Sequence, residues 1–472
     1  MRGECDMAID WKKEAAARKD DFLNDLVDLL KIDSVRDDSK ASTEAPVGPG
    51  PKKALEAFLA LGEKDGFVTK NTGNIAGHIE YGEGDETMGV LVHVDVVPPG
   101  NGWETDPFDP VIKDGRIYAR GSSDDKGPGM AAYYAIKMIK EMNLPISKRI
   151  RFIIGTDEES GWQCMDHYLA VEETPDFGFS PDANFPIING EKGNVSLYVN
   201  TKGTTTGGKN ELISFDAGLR ENMVPRDAVA VFNSEEAEVI EKAFYDYVEA
   251  APITGTVNVE GEKVTIEIVG KSAHGMEPRG GVNGGTYLAT FLSNFSFGGD
   301  AQQYLQLISE YIHEDSRAES LGLNFTDEIM GDLTMNAGVF TFTPETGGVI
   351  ALNFRYPRGM NVESMEIQLE NKLSEFGVTI SRGGVKEPHY VPADDPLVKT
   401  LLDVYSKHTG LEAHEQSIGG GTYGRLMKRG VAYGAMFPDS IDTMHQANEF
   451  MSIQNLMDAM AIYAEAIYEL VK

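Results

Sequence analysis

The sequence predicts an α/β protein in which a mixed central sheet flanked by helices is interrupted by an inserted α+β domain. Three observations support this fold class. Short apolar runs typical of buried strands, such as Met88–Val92 and Ile150–Ile154, alternate with helical patterns. Residues 195–202 and 263–269 instead alternate polar and apolar side chains, as half-exposed strands do. The first pattern resumes near residue 387, which indicates that one domain interrupts another.

The chain is expected to begin with helices. Asp20 or Asp21 can cap a helix whose apolar face runs from Phe22 to Leu30. A polar stretch with clustered proline and glycine, residues 33–53, predicts a loop, and a helix is expected to start near Pro51. The next elements are a strand at Met88–Val92, a helix at Met130–Met142, a strand at Ile150–Ile154 and a short strand at Asp176–Phe179.

The later elements complete both domains. The insert is expected to contain a helical stretch within 285–314 and a strand at 347–356. The first domain then continues with a helix from Asp394 or Asp395 to Gly410, a strand at 431–437 and a helix at Leu456–Val471. We therefore divide the chain into a discontinuous domain, residues 1–192 and 387–472, and an inserted domain, residues 193–386.

Composition excludes several classes of function. The chain has 472 residues, a formal net charge of −33 and 25% charged residues, so its surface repels nucleic acid and anionic membranes. Its two cysteines, Cys5 and Cys164, are too few for a disulfide framework. The N-terminal residues contain no apolar signal region, and no run of about eighteen apolar residues could span a membrane. We therefore expect a cytoplasmic protein.

Histidines and carboxylates follow the strand-like runs, in five short segments. These segments are HVDVVPPG (93–100), ARGSSDDKGPG (119–129), GTDEESGW (155–162), SPDANFP (180–186) and TMHQANE (443–449). In open α/β sheets, ligands bind beyond the carboxyl ends of the strands. Imidazoles and carboxylates without thiolates suit two divalent cations that share a bridging carboxylate.

Each segment has chemistry that fits such a site. His93 and Asp95 lie on one side of a strand end, so Asp95 can accept from the imidazole N–H that faces away from a metal. Asp124 lies among glycines, which permit the unusual backbone that a bridging carboxylate requires. The side chains of Glu158 and Glu159 diverge, so one can bind metal while the other accepts a proton from water.

Asp182 and His445 are expected to complete the ligand sets. An isolated aspartate or histidine is more often an ordinary surface residue, so only the ordered combination of segments favours the metal site. The run GGGTYGR (419–425), which includes Gly420 and Gly421, is interpreted as either a substrate-binding segment or a plain tight turn.

The insert contains three further candidates. His274, in GKSAHGMEPRGG, could stabilise a tetrahedral oxyanion. Asn222, in ENMVPRD, and Arg355, in NFRYPRG, could bind a substrate carboxylate, which arginine does through two parallel hydrogen bonds. The alternatives are a surface histidine and a structural ion pair.

Taken together, these segments resemble the M20 family of co-catalytic metallopeptidases, and within it the bacterial PepV-type (Xaa-His or carnosinase-like) dipeptidases. HVDVVPPG, ARGSSDDKGP, GTDEESGW, SPDANFPIINGEKG, IGGGTYGR and MHQANE occur in the order of that family, over essentially the whole chain. The resemblance implies a zinc-peptidase-like catalytic domain and a doubled lid. It further implies a monomer whose lid supplies in one chain the histidine that many relatives borrow from a partner.

The resemblance also implies a role for each residue. His93 and Asp182 would bind one zinc ion, Glu159 and His445 the other, and the Asp124 carboxylate would bridge them. The peptide bond between Asp124 and Asp125 is expected to be cis. Glu158 would act as general base, Asp95 would orient His93, and His274 would stabilise the oxyanion. Asn222 and Arg355 would bind the C-terminal carboxylate of a small peptide substrate.

Three questions stay open at this point. Manganese or cobalt could replace zinc in such a His/carboxylate site. The same ligand set would serve an amidohydrolase that acts on N-acyl amino acids, such as a deacetylase or desuccinylase. A catalytically silent metal-binding or peptide-binding protein is a third reading, although it would not need Glu158.

Overall fold

The computed structural model describes residues 9–472, which form two compact units. The first unit contains the described residues up to Gly190, together with Tyr390–Gln416 and Gly421–Lys472. The second unit contains Glu191–His389 and Ser417–Gly420. Cys5 lies outside the described residues, and Cys164 is a buried free thiol.

The α-helices of the described chain are, in order, Trp11–Ala17, Lys19–Leu30, Pro49–Lys64, Lys126–Glu141, Gln163–Val171, Ala237–Ala250, Gly284–Leu292, Gly299–Tyr311, Val362–Lys372, Pro396–Thr409 and Ile453–Val471. Among these residues, no helix combines the length and apolar character needed to cross a membrane.

The N-terminal helices differ from the sequence prediction. Asp20 and Asp21 lie in the first turn of Lys19–Leu30 and do not cap it. In that turn their charges interact favourably with the helix dipole. A separate short helix, Trp11–Ala17, precedes it and is capped by Asp10, whose side chain accepts from Lys13 N–H.

The first unit is built on a mixed six-stranded sheet. Its spatial order is Val68–Thr72, Ala76–Tyr81, Arg149–Gly155, Thr87–His93, Phe177–Ser180 and Gly430–Ala432. The last four strands are parallel, and the first two add to them in antiparallel fashion. The parallel strands therefore end at one edge of the sheet. This arrangement confirms the predicted fold class.

Two helices close the core of this unit against the sheet. Lys126–Glu141 and Ile453–Val471 are buried on nearly every face and pack against each other. Small side chains such as Ala132 and Ala464, both fully buried, allow their close approach. Each fully buried large side chain, such as Ile136 or Ile467, contributes about 1.5–3 kcal/mol.

Short strands complete the first unit. Val111–Lys113, Arg116–Tyr118 and Phe450–Ser452 form a three-stranded sheet, and Ala183–Asn184 pairs with Ala435–Met436. The single strand expected at 431–437 is thus divided into Gly430–Ala432 and Ala435–Met436.

The second unit is an eight-stranded antiparallel sheet. Its order is Thr254–Glu260, Lys263–Val269, Asp227–Ser234, Asn210–Ala217, Thr334–Thr343, Gly347–Tyr356, Gly193–Thr201 and Thr379–Lys386. Two four-stranded halves meet where Phe215 pairs with Phe342. Each half packs against two helices, so the insert is a doubled α+β layer.

Helices cover one face of this sheet. Leu352 and Phe354 belong to the buried core with the helices, so the alternating residues Asn353 and Arg355 point to the opposite face. Shorter strands lie at Gly190–Glu191, Thr326–Asp327, Gly331–Asp332, His389–Tyr390 and Ser417–Ile418.

Candidate active site

The first unit gathers its candidate ligands beyond the carboxyl ends of the parallel strands. His93 is the last residue of its strand and pairs in register with Gly155 of the neighbouring strand. Glu158 and Glu159 follow Gly155 after a short turn, and Asp182 follows the strand that ends at Ser180. The edge predicted from the sequence is therefore where these side chains meet.

Asp124 lies between two imidazoles. Its Oδ1 is 3.0 Å from Nε2 of His93, and its Oδ2 is 2.9 Å from Nε2 of His445. Nε2 of His445 is also 3.0 Å from Oε1 of Glu159, and Nε2 of His93 is 3.7 Å from Oδ2 of Asp182. The two oxygens of the Asp124 carboxylate therefore face different histidines, Oδ1 facing His93 and Oδ2 facing His445.

The loop that carries Asp124 depends on glycine. Gly121 adopts φ +88°, which side chains rarely tolerate, and a Cβ at Gly127 would lie 2.0 Å from the carbonyl oxygen of Ser122. The peptide bond between Asp124 and Asp125 is cis, as the resemblance implied.

Asp95 contacts both His93 and the glutamate pair. Nδ1 of His93 lies 3.0 Å from the backbone carbonyl of Asp95 and 3.5 Å from its carboxylate. The Asp95 carboxylate accepts hydrogen bonds from the backbone N–H groups of Glu158 and Glu159, each at 3.1 Å. The carbonyl therefore fixes the imidazole tautomer, with Nε2 facing Asp124, while the carboxylate fixes the glutamate turn.

Electrostatics at the site are dominated by crowded carboxylates. Burial, reinforced by neighbouring carboxylates, raises the pKa of Glu158 to about 8 and that of Glu159 to about 7. Burial and the charge of Asp124 raise the pKa of Asp182 well above its usual range. Such mutual repulsion would be offset by bound cations.

The pKa values of the two histidines are also raised, which favours their charged forms. Hydrogen bonds to Asp124 and Glu159 raise the pKa of His445 to about 10. Although burial opposes the charged form of His93, its contacts with Asp124 and Asp95 raise its pKa. Burial likewise opposes the charged form of Asp124, but hydrogen bonds to His445 and His93 lower its pKa. Because metal-binding histidines must be neutral, cations would have to displace these protons.

The residues present fit divalent cations. The ligand-type atoms of His93, Asp124 and Glu159 lie within 4.8 Å of one another, and so do those of His93, Glu158 and Asp182. Nitrogen and carboxylate oxygen donors of this kind suit zinc, manganese or cobalt. Glu158 is half-buried within the second group, so its position is compatible with a base that acts beside a bound ion.

The candidates of the second unit form a cluster of their own. Asn222 and His274 lie on adjacent segments, because Gly275 N–H donates to the Asn222 carbonyl at 2.7 Å. Met276 N–H donates to Nδ1 of His274 at 3.1 Å. In the neutral imidazole the ring proton is therefore on Nε2, which makes Nε2 a hydrogen-bond donor.

Arg355 is buried on the open face of the sheet. Its Nε donates to Oδ1 of Asn353 at 3.1 Å, and its Nη1 donates to the carbonyl of Gly419 at 2.9 Å. Arg355 and Asn222 both line a cavity of about 540 Å³. Gly420 is half-buried in this unit, whereas Gly421 is exposed and belongs to the first unit.

Sequence reasoning missed several polar residues that contact the candidate residues of this unit. Asn353 precedes Arg355 by two positions, so strand alternation could have placed both on one face. Asn336 is buried and donates to the carbonyls of Glu221 and Met223, which flank Asn222. Pattern alone gives no signal for this contact, because it joins residues more than 110 positions apart.

Comparisons with known proteins extend over the same chain. Residues 89–469 match the sequence model of Peptidase family M20/M25/M40. "Putative dipeptidase YtjP" of Bacillus subtilis (strain 168) is 45% identical over 469 residues, which cover 98% of this chain and 100% of that protein. "Putative dipeptidase SH1171" of Staphylococcus haemolyticus (strain JCSC1435) is 43% identical, with 98% and 99% covered.

Solved structures share the fold. Human carnosine dipeptidase 1 matches with a TM-score of 0.57 at 15% identity, over 98% of each chain. An M20 family metallo-carboxypeptidase, Sso-CP2 from Sulfolobus solfataricus, matches with a TM-score of 0.57 at 20% identity, over 95% of this chain and 98% of that one. At these identities the likeness concerns architecture alone.

Proposed function

Because the chain belongs to peptidase family M20/M25/M40 and is thereby a peptide-bond hydrolase, we propose that it is a two-cation dipeptidase acting on dipeptides with free termini. The observation that carries this proposal is the position of Asp124, with one carboxylate oxygen toward His93 and the other toward His445. The printed names of the bacterial relatives support dipeptides as the substrate class.

The cations are assigned to residues of the first unit. His93 and Asp182 would bind one ion, Glu159 and His445 the other, and Asp124 would be shared. Two such cations supply Lewis-acid chemistry, which polarises a scissile carbonyl and makes water more acidic. Zinc is the proposed ion, with manganese and cobalt as alternatives compatible with the same donors.

Glu158 is the proposed general base. Its carboxylate takes a proton from the attacking water and then delivers it to the leaving amine. Before cations bind, burial and the neighbouring carboxylates raise the pKa of Glu158 to about 8. Bound cations would lower this pKa again, which favours the carboxylate form that accepts a proton from water. The Asp95 carboxylate orients the peptide N–H groups of the Glu158–Glu159 turn.

His274 is the proposed oxyanion donor. Since Met276 N–H occupies Nδ1, the neutral ring presents Nε2–H, which can donate to the developing negative charge on the substrate oxygen. Met276 therefore sets the tautomer that this role requires.

Arg355 and Asn222 are the proposed ligands of the substrate's C-terminal carboxylate, together with Gly420 and Gly421. The guanidinium of Arg355 is oriented by Asn353 and by the carbonyl that precedes Gly420. A buried arginine fixed at two of its nitrogens has little conformational entropy left to lose when it binds a carboxylate.

The two units receive separate roles in this proposal. Residues 1–192 and 387–472 form the catalytic domain, and residues 193–386 form a lid whose closure excludes bulk water and longer peptides. Because a doubled insert supplies His274 in the same chain, we propose a working monomer. We also infer a cytoplasmic location, since two cysteines among 472 residues cannot form a disulfide framework.

A substrate panel tests the proposal. Hydrolysis of unblocked dipeptides, tripeptides, C-terminally amidated dipeptides and N-acetyl or N-succinyl amino acids is measured in one buffer with zinc, manganese or cobalt added. We expect the highest kcat/KM for unblocked dipeptides, with C-terminally amidated dipeptides hydrolysed far more slowly. A higher kcat/KM for the N-acyl amino acids would instead identify an amidohydrolase, and metal binding without turnover of any substrate would identify a silent binding protein.

A further inference from the structure

A buried carboxylate outside the candidate metal ligands organises the loop that carries Asp124. Glu449 is 1% exposed. Its Oε1 accepts from the backbone N–H and the hydroxyl of Ser123, both at 2.9 Å, and from Asp124 N–H at 3.3 Å. Both oxygens also lie 3.2 Å from Gly121 N. Glu449 therefore contacts the backbone on each side of Ser122.

The charge of Glu449 is balanced by a second buried group. Nη1 of Arg120, which is also 1% exposed, donates to Oε2 of Glu449 at 2.7 Å. Nη2 of Arg120 reaches the carbonyls of Pro98 and Pro99 at 3.4 and 3.2 Å. The guanidinium also lies 5.3 Å from the ring centre of Trp103. The pair thus connects the segment that follows His93 to the loop of Asp124.

Glu449 also lies close in sequence to a third candidate ligand, His445. It follows His445 by four residues, and its backbone carbonyl accepts from Ala119 N–H at 3.1 Å. One ion pair therefore joins the segments that contain His93, Asp124 and His445. Removing one partner of a buried pair leaves an uncompensated charge, and the three segments would then lose their common contact.

We propose that Glu449, with Arg120, is a positioning residue that sets the placement of Asp124 and thereby the affinity of the site for its cations. In this assignment Glu449 binds neither a cation nor the substrate and acts through Asp124. This inference rests on the proposed function, because it assigns Asp124 to bound cations. Loss of such a contact to a metal ligand typically weakens metal binding by about 10- to 100-fold.

Calorimetric titration of the metal-stripped full chain with zinc chloride tests the proposal. For Glu449→Gln, which keeps the shape but removes the charge, we expect the zinc Kd to rise about 10- to 100-fold while the circular dichroism of the protein is unchanged. Glu80→Gln is the matched control, since Glu80 pairs with Arg151 on the sheet of the same unit, and its zinc Kd should equal that of the wild type.

Ser123→Ala provides a second test that leaves both charges in place. Ser123→Ala removes one hydrogen-bond donor to Glu449, so we expect the zinc Kd to rise by a smaller factor than in Glu449→Gln. If Glu449→Gln does not fold, the zinc Kd of Ser123→Ala alone tests the proposal. Wild-type zinc affinity in Ser123→Ala and in a folded Glu449→Gln would overturn the proposal. A wild-type chain that binds none of zinc, manganese or cobalt would instead refute the proposed function.

Discussion

Nδ1 of His93 lies closer to the backbone carbonyl of Asp95, at 3.0 Å, than to its carboxylate, at 3.5 Å. The sequence suggested that the Asp95 side chain would orient the imidazole. In the structure the main chain makes the shorter contact, and the side chain is engaged by the peptide N–H groups of the glutamate turn. Asp95 therefore links the candidate metal ligand to the candidate base.

Asp95→Asn should reduce turnover more than metal binding. The amide offers one acceptor oxygen for two peptide N–H groups, while the main-chain carbonyl still fixes His93. We expect kcat to fall about 10- to 100-fold with two cations still bound, measured by steady-state kinetics and metal analysis. Asp403→Asn, on an exposed helix position, is the control. Loss of one bound cation with unchanged turnover per loaded protein would contradict this account.

Glu158→Gln should abolish most of the activity without emptying the site. The amide cannot accept the proton of the attacking water, so we expect kcat to fall about 10³-fold. Metal content, measured by elemental analysis, should equal that of the wild type. The exposed Glu173→Gln variant controls for the substitution itself. Near-normal turnover in Glu158→Gln would remove this residue from the chemistry.

Arg355→Lys should weaken recognition of the substrate carboxylate. A lysine cannot form the two parallel hydrogen bonds of a guanidinium, so KM for an unblocked dipeptide should rise about 10-fold or more. For the same dipeptide with a C-terminal amide, Arg355→Lys and the wild type should have similar KM values, because the amide lacks the carboxylate that Arg355 would bind. Arg382→Lys, an exposed pair with Glu363 in the same unit, is the control. An equal loss for both substrates would indicate a structural role.

His78 should make stability depend on pH. Burial, with the charge of Arg151, lowers the pKa of His78 to about 4 from 6.5, and the ring contacts the Tyr168 hydroxyl at 2.8 Å. Between those values the unfolded chain binds a proton that the folded chain does not. The free energy of unfolding should therefore decrease as pH falls from 6.5 toward 4, by up to about 1.4 kcal/mol per pH unit from this group.

The test compares urea unfolding of the wild type and of His78→Gln across this pH range in the presence of a chelator. Other titrating groups affect both proteins alike, so the difference between the two curves isolates His78. Because the variant lacks the group, its stability should fall less steeply below pH 6.5. Parallel curves would show that His78 titrates alike in the folded and unfolded chains.

The sequence alone predicted that His93, Glu158 and Asp182 lie at one edge of a sheet. Each ends or follows a parallel strand, and the carboxyl ends of parallel strands lie at the same edge of the sheet. The sequence was also sufficient for the fold class and for the helix ended by Gly410, which adopts φ +72°. These features depend on local patterns and on general rules of strand topology.

Other features depend on contacts between distant residues, which periodicity does not encode. The helix Trp11–Ala17 buries only two of its side chains, so it has too few apolar positions for a periodic signal. In the sequence, Glu449 cannot be distinguished from an ordinary exposed glutamate, because its hydrogen bonds to Gly121 and Ser123 form only in the folded chain. The choice between carbonyl and carboxylate at Asp95 depends on distances of a fraction of an ångström.

The most direct test of a two-cation dipeptidase is the dependence of activity on bound metal. Metal-stripped protein is titrated with zinc, and hydrolysis of one unblocked dipeptide is recorded at each ratio of metal to chain. We predict negligible turnover without metal and full turnover only when two equivalents are bound. Full activity in the stripped protein, or a maximum at one equivalent with no further gain, would contradict the central claim.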